Sequence, residues 1–297
     1  MTGIILIDKP KDFTSFDVVA KVRRICGEKK CGHSGTLDPM ATGVMTILLG
    51  GATRFCELLP SHDKAYVAKL KLGTTTDTLD VTGKVLEERQ VTASAEDFAA
   101  ACDDFRGEIT QVPPMYSAIS VNGRRLYDLA RQGIEVERPE RQVTIRKLDI
   151  LSSDEENNEY EIYVECSSGT YIRTLIADIG EKLNCGAVMT DLRRVKANGF
   201  TIQQTVTLEQ LEKAASEGDI SDLLIPVESA YNSYESLTVT EAQAKRFSNG
   251  GDLLTERLKN CKGNGLYKVL DPNEKFLGLG EIDGGNSLKV VRLYIEK

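Results

Sequence analysis

Residues 159–183 impose the tightest constraint on what this chain can become. Tyr160, Ile162, Val164 and Cys166 alternate with Glu161, Tyr163 and Glu165, the period-two signature of a half-buried strand. After Ser167-Ser168-Gly169-Thr170 the period changes, and Ile172, Leu175, Ile176, Ile179 and Leu183 fall on one helical face. A strand with one buried face that feeds directly into a helix with one apolar face must lay that helix on a sheet. The same junction presents Tyr171 and Arg173 on the first helical turn.

Other segments repeat these signals. Gly3–Ile7 reads as a short buried strand, and Ser15 as the N-cap of a helix that turns Val18, Val19, Val22, Ile25 and Cys26 inward. Tyr66, Ala68, Leu70 and Leu72 share one face of a strand whose other face carries Lys69 and Lys71. Ser94 with Asp97 resembles a capping box ahead of Phe98, Ala101, Cys102 and Phe105. Residues 216–236 are polar and irregular and read as a linker. Beyond it, Thr240 and Gln243 open a short helix ending at Asn249-Gly250, and strands follow near 266–270, 276–281 and 288–295. Strands and helices mixed without regular βαβ alternation predict an α+β fold. At 297 residues, two domains are expected, 1–232 and 233–297, the second small and β-rich.

No apolar run approaches the roughly 18 residues needed to cross a bilayer. The opening run is too short and acid-bounded for a secretion signal, and seven cysteines without an export signal suit a reducing, cytoplasmic setting. Net charge is −8, which at first sight argues against a polyanionic partner. The acid is segregated, however. Residues 75–112 carry −6 and 148–237 carry −11, whereas 1–34 and 114–147 carry +3 each and 238–297 carries +2. A basic face on an acidic protein can still bind phosphates, because exposed charges beyond about 8–10 Å are screened.

Common sites of chemistry are missing. The sequence has no G-x-x-x-x-G-K-[ST] loop, and Gly278-x-Gly280 lies late in the β-rich tail. Cys26, Cys31 and His33 offer three soft ligands where a structural zinc site wants four, so no metal is expected. One loop stands apart, Gly32-His33-Ser34-Gly35-Thr36-Leu37-Asp38-Pro39-Met40-Ala41-Thr42-Gly43, between a helix and the apolar run Val44–Leu49. Its glycines and proline hold one carboxylate rigidly at the edge of a core. Asp38 is there either as a functional group or as a simple cap.

GHSGTLDPMATGV, followed by LLGGATR, resembles the catalytic motif of the TruB family of tRNA pseudouridine synthases. The likeness runs along nearly the whole chain. Gly3–Val18 resembles the family's lysine-proline motif, which supports the catalytic loop. Lys64-Ala65-Tyr66, Leu72-Gly73 and Thr76-Asp77-Thr78-x-Asp80 are similar to its tyrosine strand. Pro113–Ala118 with Gly123–Tyr127 resembles its RNA-gripping insertion, here 113–142. Cys166–Thr174 and Leu192-Arg193-Arg194 match the remaining active-site segments. Two departures are visible: Asp12 stands where glycine is usual, and Ser120 where lysine is usual.

The resemblance implies a catalytic core with a mixed, largely antiparallel sheet and a C-terminal PUA-like RNA-binding domain. It implies isomerisation of uridine 55 in the T-loop of tRNA, without cofactor or metal, on a base flipped out of its stack. Asp38 becomes the catalytic nucleophile, Arg173 its charge partner, and Tyr66 the platform for the base. Tyr171 and Leu192 line the uracil pocket, and His33 lies near the space the base vacates. Lys9, Arg124, Arg125 and Arg131 become RNA contacts, with Arg138 and Arg141 in the same basic insertion. The partner is tRNA, held by its T-arm and, through the C-terminal domain, its acceptor stem; the enzyme is a monomer with no membrane association. Two rivals come from other classes. An RNA-folding chaperone would not need Asp38, Tyr66 and Arg173 together, and a glycosidase would need a second carboxylate about 5–9.5 Å away.

Overall fold

The computed structural model describes residues 1–117, 119–121 and 123–295. Ala118 of the insertion motif and the last two residues of the C-terminal segment lie outside the described residues, as does the side chain of Ser120.

A nine-stranded sheet forms the body of residues 1–201. Its main order is Gly3–Lys9, Thr42–Leu49, Ala187–Ala197, Lys64–Leu72, Glu159–Cys166, Arg141–Asp154 and Gly107–Gln111. Cys31–Ser34 pairs off Thr42–Leu49, and Phe200–Thr201 off Ala187–Ala197. Every pairing is antiparallel except the one joining Thr42–Leu49 to Ala187–Ala197. The sheet is thus mixed and largely antiparallel, as expected.

Period-two patterning decides which face each strand buries. Tyr66, Ala68, Leu70 and Leu72 meet Tyr160, Ile162, Val164 and Cys166 in one core, closed by helices Ala95–Asp103 and Ile172–Lys182. Gly3–Lys9 is buried on both faces, which explains its unbroken apolar run. Ile5 and Ile7 pack with Val18, Val19 and Val22 of helix Ser15–Cys26, while Ile4 and Leu6 pack on the opposite side with Phe55, Tyr231 and Phe276.

The linker reading of 216–236 fails. Ile225 exchanges two backbone hydrogen bonds with Ile4, each 2.8 Å, and Val227 and Tyr231 are completely buried. Irregular backbone there is packed rather than loose, because its few apolar side chains fill the gap between the two sheets. Beyond it, five strands order as Ser236–Thr238, Gly265–Leu270, Phe276–Ile282, Ser287–Leu293 and Leu253–Leu254, with helix Glu241–Ser248 capped by Thr240 and Gln243. Phe276 and Leu279 of this second sheet belong to the core that holds Ile4 and Phe55.

Candidate active site

The loop that carries Asp38 is clamped from beneath. Thr14, not Ser15, caps the first helix, sharing a capping box with Asp17. Ser15 sits one residue inside, and its hydroxyl is spent on the loop instead: it donates to the Leu37 carbonyl at 3.1 Å and accepts the Leu37 N–H at 2.8 Å. The Asp12 N–H donates to the Pro39 carbonyl at 2.8 Å. Asp12 has φ 65°, a left-handed conformation that aspartate tolerates in place of glycine. Arg194, fully buried, donates to the carbonyls of Gly35, Thr36 and Val44 at 3.3, 3.2 and 2.8 Å. Gly43, with φ +107°, lets this strand approach closely, since a Cβ there would lie 2.1 Å from the Arg194 carbonyl oxygen.

Asp38 faces a buried arginine. Arg173 Nε lies 3.0 Å from Asp38 Oδ2, and Nη2 donates to Oδ1 at 3.2 Å, a two-pronged contact. The guanidinium is itself anchored on three other groups. It donates to the carbonyls of Thr78 at 3.0 Å and Tyr116 at 2.8 Å, and Nη1 lies 3.6 Å from Asp80 Oδ2. Asp80 is buried, and its Oδ1 accepts from the Thr78 and Thr82 hydroxyls and the Thr82 N–H. Burial pushes the Asp38 carboxyl up from its ordinary value and the Asp80 carboxylate adds to this, while Arg173 and Lys9 oppose it. The Asp38 side chain keeps 34% of its surface exposed.

That exposed surface lines a cavity of about 340 Å³, together with Tyr66, Tyr171, Arg173, Leu192 and Ser117. Tyr66 is pushed up to about 12 by burial, so its phenol is protonated at neutral pH and offers the cavity a ring surface rather than a base. Tyr171 precedes the helix, and the Gln111 side chain clips its backbone, accepting from Tyr171 N–H at 3.1 Å and donating to its carbonyl at 3.3 Å. Four elements far apart in sequence therefore bring Asp38, Tyr66, Tyr171, Arg173 and Leu192 to one hollow.

Other sequence-predicted residues fall elsewhere. Lys9 is completely buried, and its ammonium donates to the carbonyls of Pro10, Phe13 and Pro39 at 2.9, 2.5 and 3.0 Å. It cannot reach an RNA phosphate and acts as a loop support; burial pushes it down to about 8. His33 sits on the Cys31–Ser34 strand, outside the lining of the cavity, and burial holds its imidazole below its ordinary value. Arg124, Arg125 and Arg131 are exposed around an open hollow of about 690 Å³. Arg138 donates to the Pro113 carbonyl at 3.3 Å, tying the two ends of the insertion to each other, and the Arg141 guanidinium lies 5.6 Å from the centre of the Tyr171 ring, bracing the insertion against the core. Sequence reasoning assigned no role to Asp80, Gln111 or Arg194. Asp80 and Arg194 lay within quoted motifs; Gln111 carried no signal.

Comparison with known proteins sharpens the reading. Superposition on the structure of a Cbf5-Nop10-Gar1 complex gives a TM-score of 0.75 at 25% identity, covering 99% of this chain and 85% of that one. The structure of an H/ACA RNP bound to a substrate RNA containing 2′-deoxyuridine gives 0.74 at 23% identity, with the same coverage. The fold is that of a pseudouridine synthase with a β-rich C-terminal domain. The family model of TruB family pseudouridylate synthases, N-terminal domain, matches residues 23–172. Two C-terminal models, described as tRNA pseudouridylate synthase B C-terminal domain and pseudouridine synthase II TruB, C-terminal, match 173–232 and 236–294. The protein named tRNA pseudouridine synthase B of Pseudomonas fluorescens is 44% identical over 99% of this chain and 95% of its own length. Its namesake in Escherichia coli strain K12 is 42% identical over 100% and 96%. The chain belongs to the TruB family of pseudouridine synthases.

Proposed function

We propose that this enzyme converts uridine 55 in the T-loop of tRNA to pseudouridine, with Asp38 as the catalytic nucleophile. In this isomerisation the N1–C1′ bond breaks, a C5–C1′ bond forms, C5 loses a proton and N1 gains one, so no cofactor is consumed. Addition at C6, attack at C1′ and assisted elimination all require Asp38 ionised. The observation that carries the reading is the two-pronged Arg173 clamp, which holds Asp38 as an oriented carboxylate on the wall of a cavity sized for one nucleotide. The base must leave its stack to enter, and Tyr66 and Leu192 supply the surfaces that receive it. Residues 1–232 carry the catalysis. The exposed Arg124, Arg125 and Arg131 grip T-arm phosphates, and the PUA-like 233–297 segment reaches the acceptor stem. The protein works as a cytoplasmic monomer; among the described residues, no helix is long and apolar enough to cross a membrane.

The test is pseudouridine formation on an unmodified tRNA transcript, mapped by position. Wild-type protein should modify one T-loop uridine, and Asp38→Asn should form no product while binding within about tenfold of wild type, or roughly 1.4 kcal/mol. Product from Asp38→Asn above about 1% of the normal rate, roughly 2.7 kcal/mol of barrier, overturns the assignment of Asp38. Modification outside the T-loop overturns the target.

A further inference from the structure

We propose that Lys64 is the phosphate-binding group of the catalytic cavity, holding a phosphodiester that flanks the flipped nucleotide. The proposal rests on the reading of this cavity as an RNA-modification site.

Lys64 opens the strand Lys64–Leu72, two residues before Tyr66 and so on the same face, and it lines the cavity with Tyr66 and Asp38. The other buried cations around the loop are all occupied. Arg173 has two carboxylates and two carbonyls, and Arg194 and Lys9 have three carbonyls each. The Lys64 ammonium has no hydrogen bond or ion pair among the described residues. The acid beside it, Asp63, is taken by Arg146, whose Nε lies 2.8 Å from Asp63 Oδ2. Asp38 is no substitute, because both its oxygens face Arg173.

Gly35 marks the spot where charge accumulates. A Cβ there would lie 3.4 Å from both Lys64 Cε and Nζ and 3.6 Å from Arg194 Nη1, and its φ of +88° is one that L side chains rarely adopt. Two cations therefore converge on one glycine with no acid between them. Burial pushes the Lys64 ammonium down, and Arg194 adds to this. Such an arrangement favours an incoming anion, and a phosphodiester supplies a full charge that a neutral base does not. An ammonium, a compact charge with three donors, binds a backbone phosphate as a point charge. A second polar group in the same cavity also lacks a partner: the Ser117 hydroxyl, on a residue 5% exposed, makes no hydrogen bond among the described residues and lines the same wall. Two unanswered polar groups on one wall are what an incoming nucleotide would answer.

The experiment compares wild type, Lys64→Met and Lys64→Arg on T-arm hairpin RNAs. One hairpin has natural linkages, and two others carry a neutral methylphosphonate on the 5′ or the 3′ side of the target uridine. On the natural hairpin, Lys64→Met should raise Kd and the half-saturating concentration about tenfold, with the saturating single-turnover rate within about threefold. Lys64→Arg should stay close to wild type. On one of the two neutral hairpins wild type should lose the same factor, and Lys64→Met should lose nothing further. A merely structural lysine would not produce that non-additivity. A wild-type enzyme indifferent to both neutral linkages overturns the proposal whatever the variants do. So does a Lys64→Met protein that binds the natural hairpin normally, or one that loses a further tenfold on both neutral hairpins. Failure of wild type to make pseudouridine in the same tubes overturns the functional reading instead, while the Kd comparison still decides Lys64.

Discussion

Arg173 is the residue through which electrostatics would reach the proposed chemistry, because it holds Asp38 in a two-pronged contact. In the proposed reaction Asp38 must be ionised, yet burial and Asp80 both raise its carboxyl above its ordinary value. Arg173 works against both. Replacing it with methionine removes the opposing positive charge, so the Asp38 pKa rises further and the protonated, inactive fraction grows at any given acidic pH. The acidic limb of single-turnover rate against pH should move to higher pH in Arg173→Met, with a rate loss that high pH repairs only in part, because orientation is lost too. The measurement is the single-turnover pH profile of the folded variant, and an unchanged acidic limb would show that Arg173 does not govern Asp38. Tyr66 should leave that limb alone: its phenol, pushed up to about 12, stays protonated across the whole range.

At the scale of elements, the active loop is a segment of irregular backbone made rigid by its neighbours. Glycines and a proline allow its path, but Ser15 and Arg194 hold it in place through hydrogen bonds to Leu37, Gly35 and Thr36. Ser15→Ala strands the Leu37 N–H against a methyl group. A buried donor left unmade costs about 1–3 kcal/mol. We expect that loss in urea denaturation, together with a fall in the saturating single-turnover rate, since Asp38 follows Leu37 directly. A stability loss with an unchanged rate would mean that the loop keeps its geometry without the serine. Helix Ile172–Lys182 is pinned in a similar way, by Gln111 at its start and by Arg173 across to Thr78.

At the scale of the molecule, the two sheets share a core. Phe276 of the C-terminal sheet lies in one apolar cluster with Ile4, Phe55 and Tyr231, with ring centres 6.1 Å from Phe55 and 6.5 Å from Tyr231. Phe276→Ala should therefore destabilise the whole protein by about 3–5 kcal/mol, the range for a large buried aromatic. Thermal unfolding should show one transition at a lower Tm, while kcat on a T-arm hairpin at a permissive temperature stays near normal. Two separated transitions would show that the sheets unfold independently. The same packing bears on removal of residues 233–297, which uncovers Phe55 and Tyr231. The shortened chain should lose Tm as well as affinity for full-length tRNA, and an unchanged Tm would refute the shared core.

Local chemistry was legible in the sequence because it acts over a few residues. The helix starts at Ser94/Asp97 and Thr240/Gln243 and the two faces of 64–72 and 159–166 all depend on neighbours within one turn or one pleat. The glycine-rich path with one carboxylate around Asp38 was also a local feature, but its catalytic reading came from the resemblance to a known family rather than from the residues alone. Burial is not local. Lys9 looked like any lysine available to phosphate, and Ser15 like an ordinary cap; only packing showed an ammonium closed over Pro39 and a hydroxyl spent on Leu37, 22 residues away. Arg173 meets Thr78 across 95 residues and Gln111 meets Tyr171 across 60. Whether a charge is answered by a carboxylate, a carbonyl or a substrate is decided by what covers it, and covering atoms come from strands that only the folded sheet makes adjacent.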